Sequence, residues 1–430
     1  MNKKLKKNIG CLVCKNSKLI KIIDFGSMAL AGGFLSESQI HKEEKFPMRL
    51  SFCEDCYALQ ISDVIDKKKI FTTDYFYFSS AIGTLKKHFE KYAKDVSNKF
   101  LKNPRKSSIL EIGCNDGVLL RPLSDLGIGT LIGVDPADNV IKSIEDIDVY
   151  LFNKFFDENL ADDVMQEFGQ MDVICANNVF AHLSEIKSVT NAINILLKNE
   201  GVFIFEVHYI DKLINETQYD MIYHEHIFYH SFLSLSEHFK IYNMQIFDVK
   251  KINIHGGSMR YYVSKMDNSN HKITSNALDL YELEKRNKFN RLETYINFSK
   301  RVINHKSIFS NLIFKLKNKG FTIAGYGASG RANTLIQYCD LDNRIIDYII
   351  DDAPKKSGYF TPGSHIQIIN RDKFVKLEPP DYLIIFAWSF FNEIFPRLKN
   401  IIHEKTKIII PFPEIKIFRN DKGKLIEDIV

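Results

Sequence analysis

The sequence lacks the features that place a protein in a membrane or on nucleic acid. No stretch of its 430 residues approaches the roughly 18 apolar residues of a membrane span. Its net charge is only +5, from 58 Lys and Arg against 53 Asp and Glu, which is too weak to indicate nucleic-acid binding. Met1–Gly10 is basic, but no apolar segment follows it. We therefore expect no secretory signal, no membrane contact and a cytoplasmic location.

The composition also lacks the bias of disordered or repetitive chains. Hydrophobic residues make up 45% and charged residues 26%, as in soluble proteins that bury large cores. Because domains cluster at roughly 100 to 200 residues, a chain of 430 residues is too long for one ordinary domain. The length predicts two or three domains.

Cysteine is scarce, and its positions are informative. Four of the seven cysteines form two Cys-x-x-Cys pairs, Cys11 with Cys14 and Cys53 with Cys56, separated by 38 residues. In a reducing compartment such pairs indicate a metal site and not a disulfide framework. Four thiolates leave no open position for water, so we expect a structural zinc ion. The alternative is two unrelated pairs of buried cysteines. The other three cysteines are predicted to be ordinary buried residues: Cys114, Cys175 and Cys339.

From about Ser107 the sequence alternates apolar runs with helical stretches, which predicts a parallel α/β sheet. The first run ends in Glu111-x-Gly-Cys-Asn-Asp-Gly117, and the next ends in Asp135, 18 residues later. An acid at the end of the second strand is well placed to bind two ribose hydroxyls. Dinucleotide enzymes and methyltransferases share this arrangement. The loop is not Gly-x-Gly-x-x-Gly, and it resembles that of class I S-adenosylmethionine-dependent methyltransferases.

Later runs continue the same pattern. The alternative is that the glycines form only strand-to-helix turns and that Asp135 is only a solvated cap. That alternative would leave the continuation of the pattern unexplained. We expect the edge formed by Asp172, Asn177 and Asn178 to face the cofactor. The predicted strands complete a seven-stranded sheet with a terminal antiparallel pair: the fourth at 171–177, the fifth at 201–208 and the pair at 244–250 and 258–264.

Three histidines, one glutamate and two tyrosines are concentrated in Asp220–His230, soon after the fifth strand. The His-Glu-x-x-His spacing of zinc proteases is absent, and on a helix His224 and His226 would point to different faces. Histidine has an unperturbed pKa near neutrality, and a nearby carboxylate or phenol can orient its ring. The segment therefore predicts general acid–base chemistry.

The order of the motifs resembles a known family along essentially the whole chain. The two cysteine pairs are followed by Glu-x-Gly-Cys-Asn-Asp-Gly, Asn-Asn-Val-Phe-Ala-His, Tyr-His-Glu-His-Ile-Phe-Tyr-His-Ser and His-Gly-Gly-Ser-Met-Arg. This order is similar to that of the three-domain nucleotide-sugar C-methyltransferases of branched deoxysugar biosynthesis, which act at C3 of 4-keto-6-deoxy hexoses.

The resemblance implies an α/β fold with three parts. These are a small zinc module at 1–68, a class I methyltransferase domain with a Rossmann-like sheet at 69–266 and a second Rossmann-like domain at 267–430 that binds the nucleotide sugar. It implies S-adenosylmethionine and structural zinc as cofactors. The cofactor would contact Glu111, Gly113, Asn115, Gly117, Asp135, Asn177 and Asn178.

Family roles carry over to matching positions of this sequence. His226 would be the general base, with Tyr223 and Glu225 orienting it and the sugar. His182 would line the pocket and Tyr77 would close over it, although Tyr75 is an equal candidate. His224 would contact the substrate. A carbon beside a ketone accepts a methyl group only after it loses a proton, which a histidine base can take while neutral donors stabilise the enolate oxygen.

The last third of the sequence contains a second glycine-rich loop. Residues 276–319 are predicted to be helical, and Gly325-x-Gly-x-x-Gly330 then follows a strand, with Asp351 21 residues further on. This spacing fits an NAD site, the diphosphate of a nucleotide sugar, or a Rossmann domain without a ligand. The resemblance favours the nucleotide sugar, which would meet Gly327, Ser329, Arg331, Asn333 and Trp388.

Other functions remain open from the sequence. A methyltransferase of this fold could act on oxygen or nitrogen. An NAD-dependent oxidoreductase would use the second loop but leave the Glu111 loop unexplained, and a zinc-binding scaffold would account only for the cysteine pairs. The substrate we expect is a dTDP- or other NDP-linked sugar, and we expect the protein to be a monomer.

Overall fold

The computed structural model describes residues 5–7, 10–16, 18–71, 75–81, 83–399, 401–421 and 424–428. Most of the basic stretch Met1–Gly10 lies outside these residues, as does Asp74. None of the helices in these ranges combines the length and the apolar character that crossing a membrane requires.

The N-terminal part is a small antiparallel β structure. Strand β2 pairs with β3 and β3 with β4, while the short β1 pairs with β5. Its elements are β1 (Leu5–Lys7), β2 (Ile20–Ala29), β3 (Lys45–Phe52), β4 (Leu59–Ile61), β5 (Asp63–Ile65) and α1 (Lys67–Ile70).

The middle part alternates strands and helices, as the sequence pattern predicts. Its first strand is buried at every position, as expected for a parallel strand that is covered on both faces. The elements are α2 (Gly83–Phe100), β6 (Ser108–Ile112), α3 (Leu120–Asp125), β7 (Thr130–Val134), α4 (Asp138–Ile141), β8 (Tyr150–Phe152), α5 (Glu158–Phe168), β9 (Met171–Asn177), α6 (Ile186–Leu196), β10 (Leu197–His208), α7 (Ile210–Asn215), β11 (Phe228–Tyr229), α8 (Phe232–Lys240), β12 (Met244–Ile252) and β13 (Ser258–Lys265).

These strands form the expected seven-stranded sheet, in the order β12-β13-β10-β9-β6-β7-β8. β13 is antiparallel to both of its neighbours and the remaining pairs are parallel. The predicted terminal antiparallel pair is thereby confirmed. The order reverses between β6 and β9, and ligands of open α/β sheets bind beside the carboxyl ends of the strands at such a point.

The C-terminal part is a second α/β unit preceded by two helices, which confirms the predicted helical stretch. Its elements are α9 (Ser275–Arg286), α10 (Leu292–Asn318), β14 (Ile323–Tyr326), α11 (Gly330–Tyr338), β15 (Tyr348–Ile350), β16 (Ile368–Ile369), α12 (Arg371–Phe374), β17 (Tyr382–Ile385), α13 (Phe391–Leu398), β18 (Lys407–Ile410), β19 (Lys416–Asp421) and β20 (Lys424–Asp428).

This sheet has the order β16-β15-β14-β17-β18-β19-β20. Its first five strands are parallel, and β19 and β20 extend it with antiparallel pairs. The parallel part has the first five strands of the Rossmann order 3-2-1-4-5-6, with the switch between β14 and β17. The predicted second Rossmann-like sheet is confirmed.

The three parts are joined by specific contacts. β11, from the middle of the chain, pairs with β4 and becomes an edge strand of the N-terminal sheet. The backbone N–H of Ala29 donates to Gln337 Oε1 at 2.8 Å, and Glu43 accepts from the Gly363 N–H at 2.7 Å and from His365 Nε2 at 2.8 Å. These contacts hold the N-terminal sheet against both α/β units.

Candidate active site between the two sheets

A single cleft of about 1270 Å³ lies between the two α/β units. We use "the cleft" for the space bounded by the carboxyl ends of β6, β7, β9 and β10, the segment 75–81, the histidine turn (Tyr223–His226) and the glycine loop (Gly327–Gly330). Small-molecule pockets occupy about 300–1000 Å³. The cleft is therefore large enough for two ligands side by side.

The carboxyl ends of β6 and β9 leave two buried acceptor atoms without partners. The side chain of Asn177 donates from Nδ2 to Glu111 Oε1 at 3.2 Å. Among the described residues, Glu111 Oε2 and Asn177 Oδ1 have no hydrogen-bond partner. Burial raises the pKa of Glu111 well above its usual range. A ligand with amine or hydroxyl donors would satisfy both atoms, which fits the donor groups of S-adenosylmethionine.

The acid after the second strand lies beside the same loop. Asp135 accepts the Asn115 N–H on Oδ2 at 2.9 Å and the Ala137 N–H on Oδ1 at 2.8 Å. Each oxygen keeps a second lone pair for a ligand hydroxyl. Gly113 has φ of +68°, and a Cβ there would lie 2.2 Å from Val179 Cγ2, so only glycine fits this turn.

Most of the predicted cofactor residues line the cleft, and two residues do not. The cofactor side includes Glu111, Gly113, Asn115, Asp135, Asn177 and Asn178. Gly117 does not line the cleft; with φ of +76° it ends the loop before α3. The expectation for Asp172 was wrong. It sits at the amino end of β9, where it accepts the Ser108 N–H at 2.9 Å and pairs with Lys198 at 2.8 Å.

The histidine turn holds His226 in one tautomer. Nδ1 donates to the Met221 carbonyl at 2.8 Å, and Nε2 lies 2.9 Å from the Tyr223 hydroxyl, which donates to it. The segment is a turn, closed by the His226 N–H donating to the Tyr223 carbonyl, and not the helix considered from the sequence. The arrangement makes Nε2 the acceptor nitrogen of a residue that lines the cleft, with Tyr223 as its partner.

Burial keeps the imidazoles of the cleft neutral. The pKa of His226 lies well below its ordinary value, because of burial first and then because of the nearby His182. The two rings stack with their centroids 4.9 Å apart. Burial lowers the pKa of His182 to about 4. At neutral pH one neutral imidazole can accept a proton beside another that can donate a hydrogen bond.

Glu225 is held by a different set of contacts from those of His226. Donor groups of Gly32 and Tyr75 act on its carboxylate and lower its pKa. Burial nevertheless raises the pKa of Glu225 to about 7, because these two donors offset only part of the desolvation. The resemblance implied that Glu225 orients His226. Because the contacts of Glu225 do not include His226, Glu225 does not orient it directly.

Tyr75 and Tyr77 both line the cleft but differ in their contacts. Tyr75 reaches Glu225, whereas Tyr77 is 40% exposed, and its carbonyl accepts from Asn115 Nδ2 at 3.1 Å. The Ser79 N–H donates to Asn115 Oδ1 at 2.9 Å. The segment 75–81 thus lies over the cofactor loop through backbone contacts, and the structure brings both tyrosines to the cleft.

The structure does not bring His224 to the cleft. Its ring is buried against Phe46, and Nε2 lies 3.2 Å from the Pro47 carbonyl. Tyr223, Glu225 and His226 line the cleft, while His224 faces the N-terminal sheet. The predicted substrate contact of His224 is wrong, and the residue anchors the turn to that sheet.

The glycine loop repeats the geometry of the cofactor loop. Asp351 accepts the Ala328 N–H on Oδ2 and the Ala353 N–H on Oδ1, each at 2.8 Å. Gly327 has φ of +94°, and Ser329 caps α11 by accepting the Ala332 N–H at 3.2 Å. Gly327 and Ser329 line the cleft, as predicted. The N–H groups of the first turn of a helix lack helical partners and favour anions.

Three predicted substrate residues have other partners. Asn333 lies outside the cleft and donates from Nδ2 to the Ala31 carbonyl at 2.6 Å. Trp388 also lies outside the cleft, with Nε1 donating to Asp220 Oδ2 at 2.9 Å. Arg331 lines the cleft but forms a two-point ion pair with Asp220. The predicted substrate contacts of Asn333 and Trp388 are therefore wrong, and both residues instead hold the parts of the chain together.

The four paired cysteines converge, as predicted. Their sulfur atoms all lie within 4.8 Å of one another, with 3.5 Å between Cys11 and Cys56 and 3.6 Å between Cys14 and Cys53. A tetrahedral zinc ion with Zn–S bonds of about 2.3 Å has sulfur atoms about 3.8 Å apart. The residues fit one structural zinc ion. Cys114, Cys175 and Cys339 are buried and free, as expected.

Sequence reasoning missed several residues around the cleft. Gly32 has no motif to mark it. Glu206 is fully buried on β10 and pairs with Arg260 at 2.6 Å and with His88 at 2.8 Å. In the sequence, the available indication for Glu206 was that it is a charged residue inside an apolar strand. Asp220 began the motif that contains the histidines, but its role depends on Arg331, 111 residues away.

Comparison with known families agrees with this geometry. Residues 11–71 match a family model described as a zinc binding domain, residues 85–248 match a methyltransferase domain and residues 253–413 match a C-methyltransferase C-terminal domain. The chain is an S-adenosylmethionine-dependent methyltransferase. The cysteine cluster lies in the first of these segments, strands β6 to β10 lie in the second and strands β14 to β18 lie in the third.

Individual relatives extend the comparison. The methyltransferase is 27% identical to the C-methyltransferase NovU of Streptomyces niveus over 408 residues, covering 95% of this chain and 96% of NovU. It resembles an S-adenosylmethionine-dependent methyltransferase of Clostridium acetobutylicum, with 14% identity and a TM-score of 0.33 over 42% of this chain and 91% of that one. It also resembles magnesium protoporphyrin IX methyltransferase of Synechocystis PCC 6803, with 11% identity and a TM-score of 0.33 over 42% of this chain and 83% of that one.

Proposed function

We propose that the enzyme transfers a methyl group from S-adenosylmethionine to C3 of an NDP-4-keto-6-deoxy sugar, through an enolate generated by His226. The observation that carries this proposal is the position of the His226 Nε2 atom. It faces a cleft that also contains the cofactor loop on one side and the glycine loop on the other. A proton acceptor between two nucleotide-type loops suits a reaction that joins a methyl donor to a nucleotide-linked acceptor.

We assign the three parts as a zinc-binding domain at 1–68, a methyltransferase domain at 69–266 and a nucleotide-sugar-binding domain at 267–430. The positions of the zinc cluster and of the two sheets along the chain support these limits. The seven cysteines form no disulfide with one another, which supports action in the cytoplasm.

In this proposal Asp135 and the buried acceptor atoms of Glu111 and Asn177 that lack hydrogen-bond partners hold the cofactor. When bound, S-adenosylmethionine supplies an electrophilic methyl carbon attached to a sulfonium, whose sulfur keeps the S–CH3 electron pair when the methyl group leaves. The cofactor carries no pyrophosphate, so its loop needs no phosphate cradle. The residues of the loop fit this chemistry.

His226 takes the C3 proton on Nε2, and the electrons of the C–H bond move to the C4 carbonyl oxygen to form the enolate. The Met221 carbonyl prepares this step, because it holds the proton on Nδ1 and so makes Nε2 the basic nitrogen, which takes the C3 proton in place of the hydrogen bond from Tyr223. The enolate carbon then forms the new C–C bond with the methyl carbon. A base held in one tautomer avoids a rearrangement before each proton transfer.

Neutral donors beside His226 stabilise the enolate oxygen. The Tyr223 hydroxyl lies 2.9 Å from Nε2, and His182 stacks on the same ring. Burial keeps both groups neutral, since it raises the pKa of Tyr223 and lowers that of His182. Preorganised donors in a dry site contribute more than they do in water.

The diphosphate of the sugar nucleotide is proposed to bind at the amino end of α11, beside Gly327 and Ser329. Lys355 supports this position because it adds a positive charge to the lining, with Nζ 4.4 Å from the centre of the Phe78 ring. Residues that follow β15 and β17 in the cleft lining would surround the nucleotide. Arg331 is left out of this set because Asp220 occupies its guanidinium.

The direct test uses S-adenosylmethionine with a carbon-13 methyl group and a panel of NDP-4-keto-6-deoxy sugars. We expect the label in a C–CH3 group on a carbon with no attached proton, detected by two-dimensional NMR. Label on oxygen or nitrogen would overturn the proposal in favour of another methyl acceptor. A reduction of NAD in the same panel would instead indicate an oxidoreductase.

A second experiment isolates the base. In D2O, without the methyl donor, the wild-type enzyme should exchange the C3 proton of the sugar for deuterium. The His226→Asn variant should lose this exchange while it still binds the cofactor. His224→Asn is the matched control in the same turn, because His224 faces the N-terminal sheet and should leave exchange intact. Wild-type exchange by His226→Asn would show that the base is another residue.

A further inference from the structure

The Arg331 side chain joins three separate segments of the chain at the edge of the cleft. Its Nε donates to Asp220 Oδ2 at 2.9 Å and its Nη2 to Asp220 Oδ1 at 3.0 Å, while Nη1 donates to the His255 carbonyl at 2.9 Å. Asp220 precedes the histidine turn, His255 lies between β12 and β13, and Arg331 lies in the first turn of α11. One guanidinium therefore ties the methyltransferase sheet to the glycine loop of the second sheet.

Trp388 completes this arrangement. The guanidinium carbon of Arg331 lies 4.6 Å from the Trp388 ring centre, and the indole N–H donates to Asp220 Oδ2 at 2.9 Å. Asp220 is 2% exposed and Arg331 13% exposed. We call Asp220, Arg331 and Trp388 the clasp. The bidentate ion pair and the stacked ring together define the orientation of the guanidinium.

The clasp is one peptide unit away from the atoms that orient His226. Asp220 is followed by Met221, whose carbonyl accepts the His226 Nδ1 proton at 2.8 Å. On the other side, Gly330 precedes Arg331, and a Cβ at Gly330 would lie 3.3 Å from the Tyr223 ring. A movement of Arg331 would thus shift both the carbonyl behind His226 and the helix end beside Tyr223.

We propose that the clasp is a positioning device that sets His226 relative to the substrate held at α11. Arg331 acts through Asp220 and Met221, and not as a phosphate ligand. Three of its five N–H groups and one face of its plane are already engaged within the protein. This inference rests on the proposed role of His226 as the base.

The test compares Arg331→Lys, Asp220→Asn and the double variant. Lysine keeps the charge but cannot make two parallel hydrogen bonds or stack in the same way. We expect each single variant to lower kcat by about tenfold or more, because small displacements of a base cost about that much. The KM for the sugar nucleotide should hardly change. The double variant should be no slower than the slower single one, since both changes break the same contact.

Further variants guard against general effects on folding. Trp388→Phe keeps the stack and removes only the N–H donor, so its loss of kcat should be smaller. Glu43→Gln is the control, because it breaks another contact between two parts of the chain that does not reach the histidine turn. It should keep the wild-type kcat. If Arg331→Lys raises KM with kcat unchanged and Asp220→Asn is normal, Arg331 binds phosphate and the proposal is wrong.

A readout without substrate separates this proposal from the proposed function. Hydrogen–deuterium exchange of residues 219–227 should become faster in Arg331→Lys and Asp220→Asn and stay unchanged in Glu43→Gln. If the wild-type enzyme methylates none of the sugars, the proposed function fails, while faster exchange still supports the clasp. Unchanged exchange in both clasp variants would overturn the clasp even in an active enzyme.

Discussion

A Cβ atom at position 32 would lie 2.7 Å from Oε1 of Glu225. Glycine at this position lets the backbone of the N-terminal part lie next to this carboxylate, and a side chain there would have to push the carboxylate away. The same carboxylate accepts from Tyr75 in the segment that crosses the cleft. The N-terminal part therefore contributes directly to the candidate active site and not only to stability.

This contact predicts the effect of Gly32→Ala. The added methyl group must displace Glu225, and a displacement of about 1 Å at an active site can cost about 10- to 100-fold in rate. We expect a fall of that size in kcat, measured by methyl transfer, with little change in the melting temperature. Glu225→Asp shortens the side chain, so the double variant should lose less than the product of the two single losses. Independent, multiplicative losses would mean that the two residues do not act through this contact.

The environment of His226 predicts an unusual pH profile. Its pKa lies well below the ordinary value because of burial, and then because of His182. A base works when it is neutral, which is above its pKa, so kcat/KM should stay flat as pH falls from 8 to 6. An imidazole with an ordinary pKa of about 6.5 would instead lose activity across this range.

Glu225, with a pKa of about 7, also titrates in this window, so the profile should be repeated with Glu225→Gln. Any change near neutrality that comes from Glu225 should disappear in that variant. A loss of activity centred near pH 6.5 that persists in Glu225→Gln would belong to His226. Such a result would contradict the assignment of a depressed pKa to the base.

Zinc removal should inactivate the enzyme. β4 follows the Cys53 pair and pairs with β11, which directly follows the histidine turn, and Gln60 of β4 also accepts the Leu12 N–H at 3.0 Å. Because the metal provides much of the folding energy of a small cysteine site, chelation should release both strands. We expect loss of zinc, a lower melting temperature and loss of methyl transfer, all restored by added zinc.

Cys53→Ser should reproduce this effect, whereas Cys175→Ser is the matched control. Cys175 is buried on β9, and its sulfur lies 3.8 Å from the Tyr92 hydroxyl, far along the chain from the cluster. The Cys175→Ser variant should keep its full zinc content, measured by metal analysis. An enzyme that stays active after complete removal of zinc would separate the metal from the site.

The buried pair of Glu206 and Arg260 should dominate the stability of the methyltransferase sheet. Both side chains are almost fully buried, and Arg260 also packs over the Tyr92 ring at 3.6 Å. Arg260→Met leaves a buried carboxylate without its main partner, which costs about 3–5 kcal/mol. Chemical denaturation should detect this loss. Lys102→Gln breaks an exposed pair with Glu200 and should have no measurable effect.

The pair of Glu206 and Arg260 also predicts how the stability of the protein depends on pH. Burial raises the pKa of Glu206, but the His88 hydrogen bond and the Arg260 charge outweigh it and lower the pKa below the ordinary value. The stabilisation is then present above about pH 4.5 and lost as pH falls through the folded-state pKa. The stability difference between wild type and Arg260→Met should therefore shrink on acidification. A constant difference would show that packing, and not charge, is responsible.

Much of this architecture could be predicted because its causes are local. The alternation of buried runs and turn glycines predicted β6, β7, β9 and the antiparallel pair at the correct positions. The cysteine spacing predicted the cluster, since a short turn brings both sulfurs of a pair to one side. Asp172 was misplaced because an acid near a strand looks the same in the sequence at either end of that strand.

The histidine turn shows why the rest could not be predicted. Its residue types pointed to acid–base chemistry, but His224, Glu225 and His226 face three different surroundings. Which of them reaches the cleft depends on the packing of the N-terminal sheet on one side and of α11 on the other. Arg331 and Asn333 were assigned to a phosphate for the same reason, since their partners are distant in the sequence.

The sequence by itself determined the three parts, their order, the zinc ligands and the two nucleotide-type loops. These features depend on periodicity and on spacing within a few residues, which the chain specifies locally. The tertiary structure decided which side chains share the cleft, which tautomer His226 adopts, and that Gly32, Asp220 and Arg331 hold the site together. Those properties arise from contacts between segments up to hundreds of residues apart, where burial and hydrogen-bond partners exist only after the chain has folded.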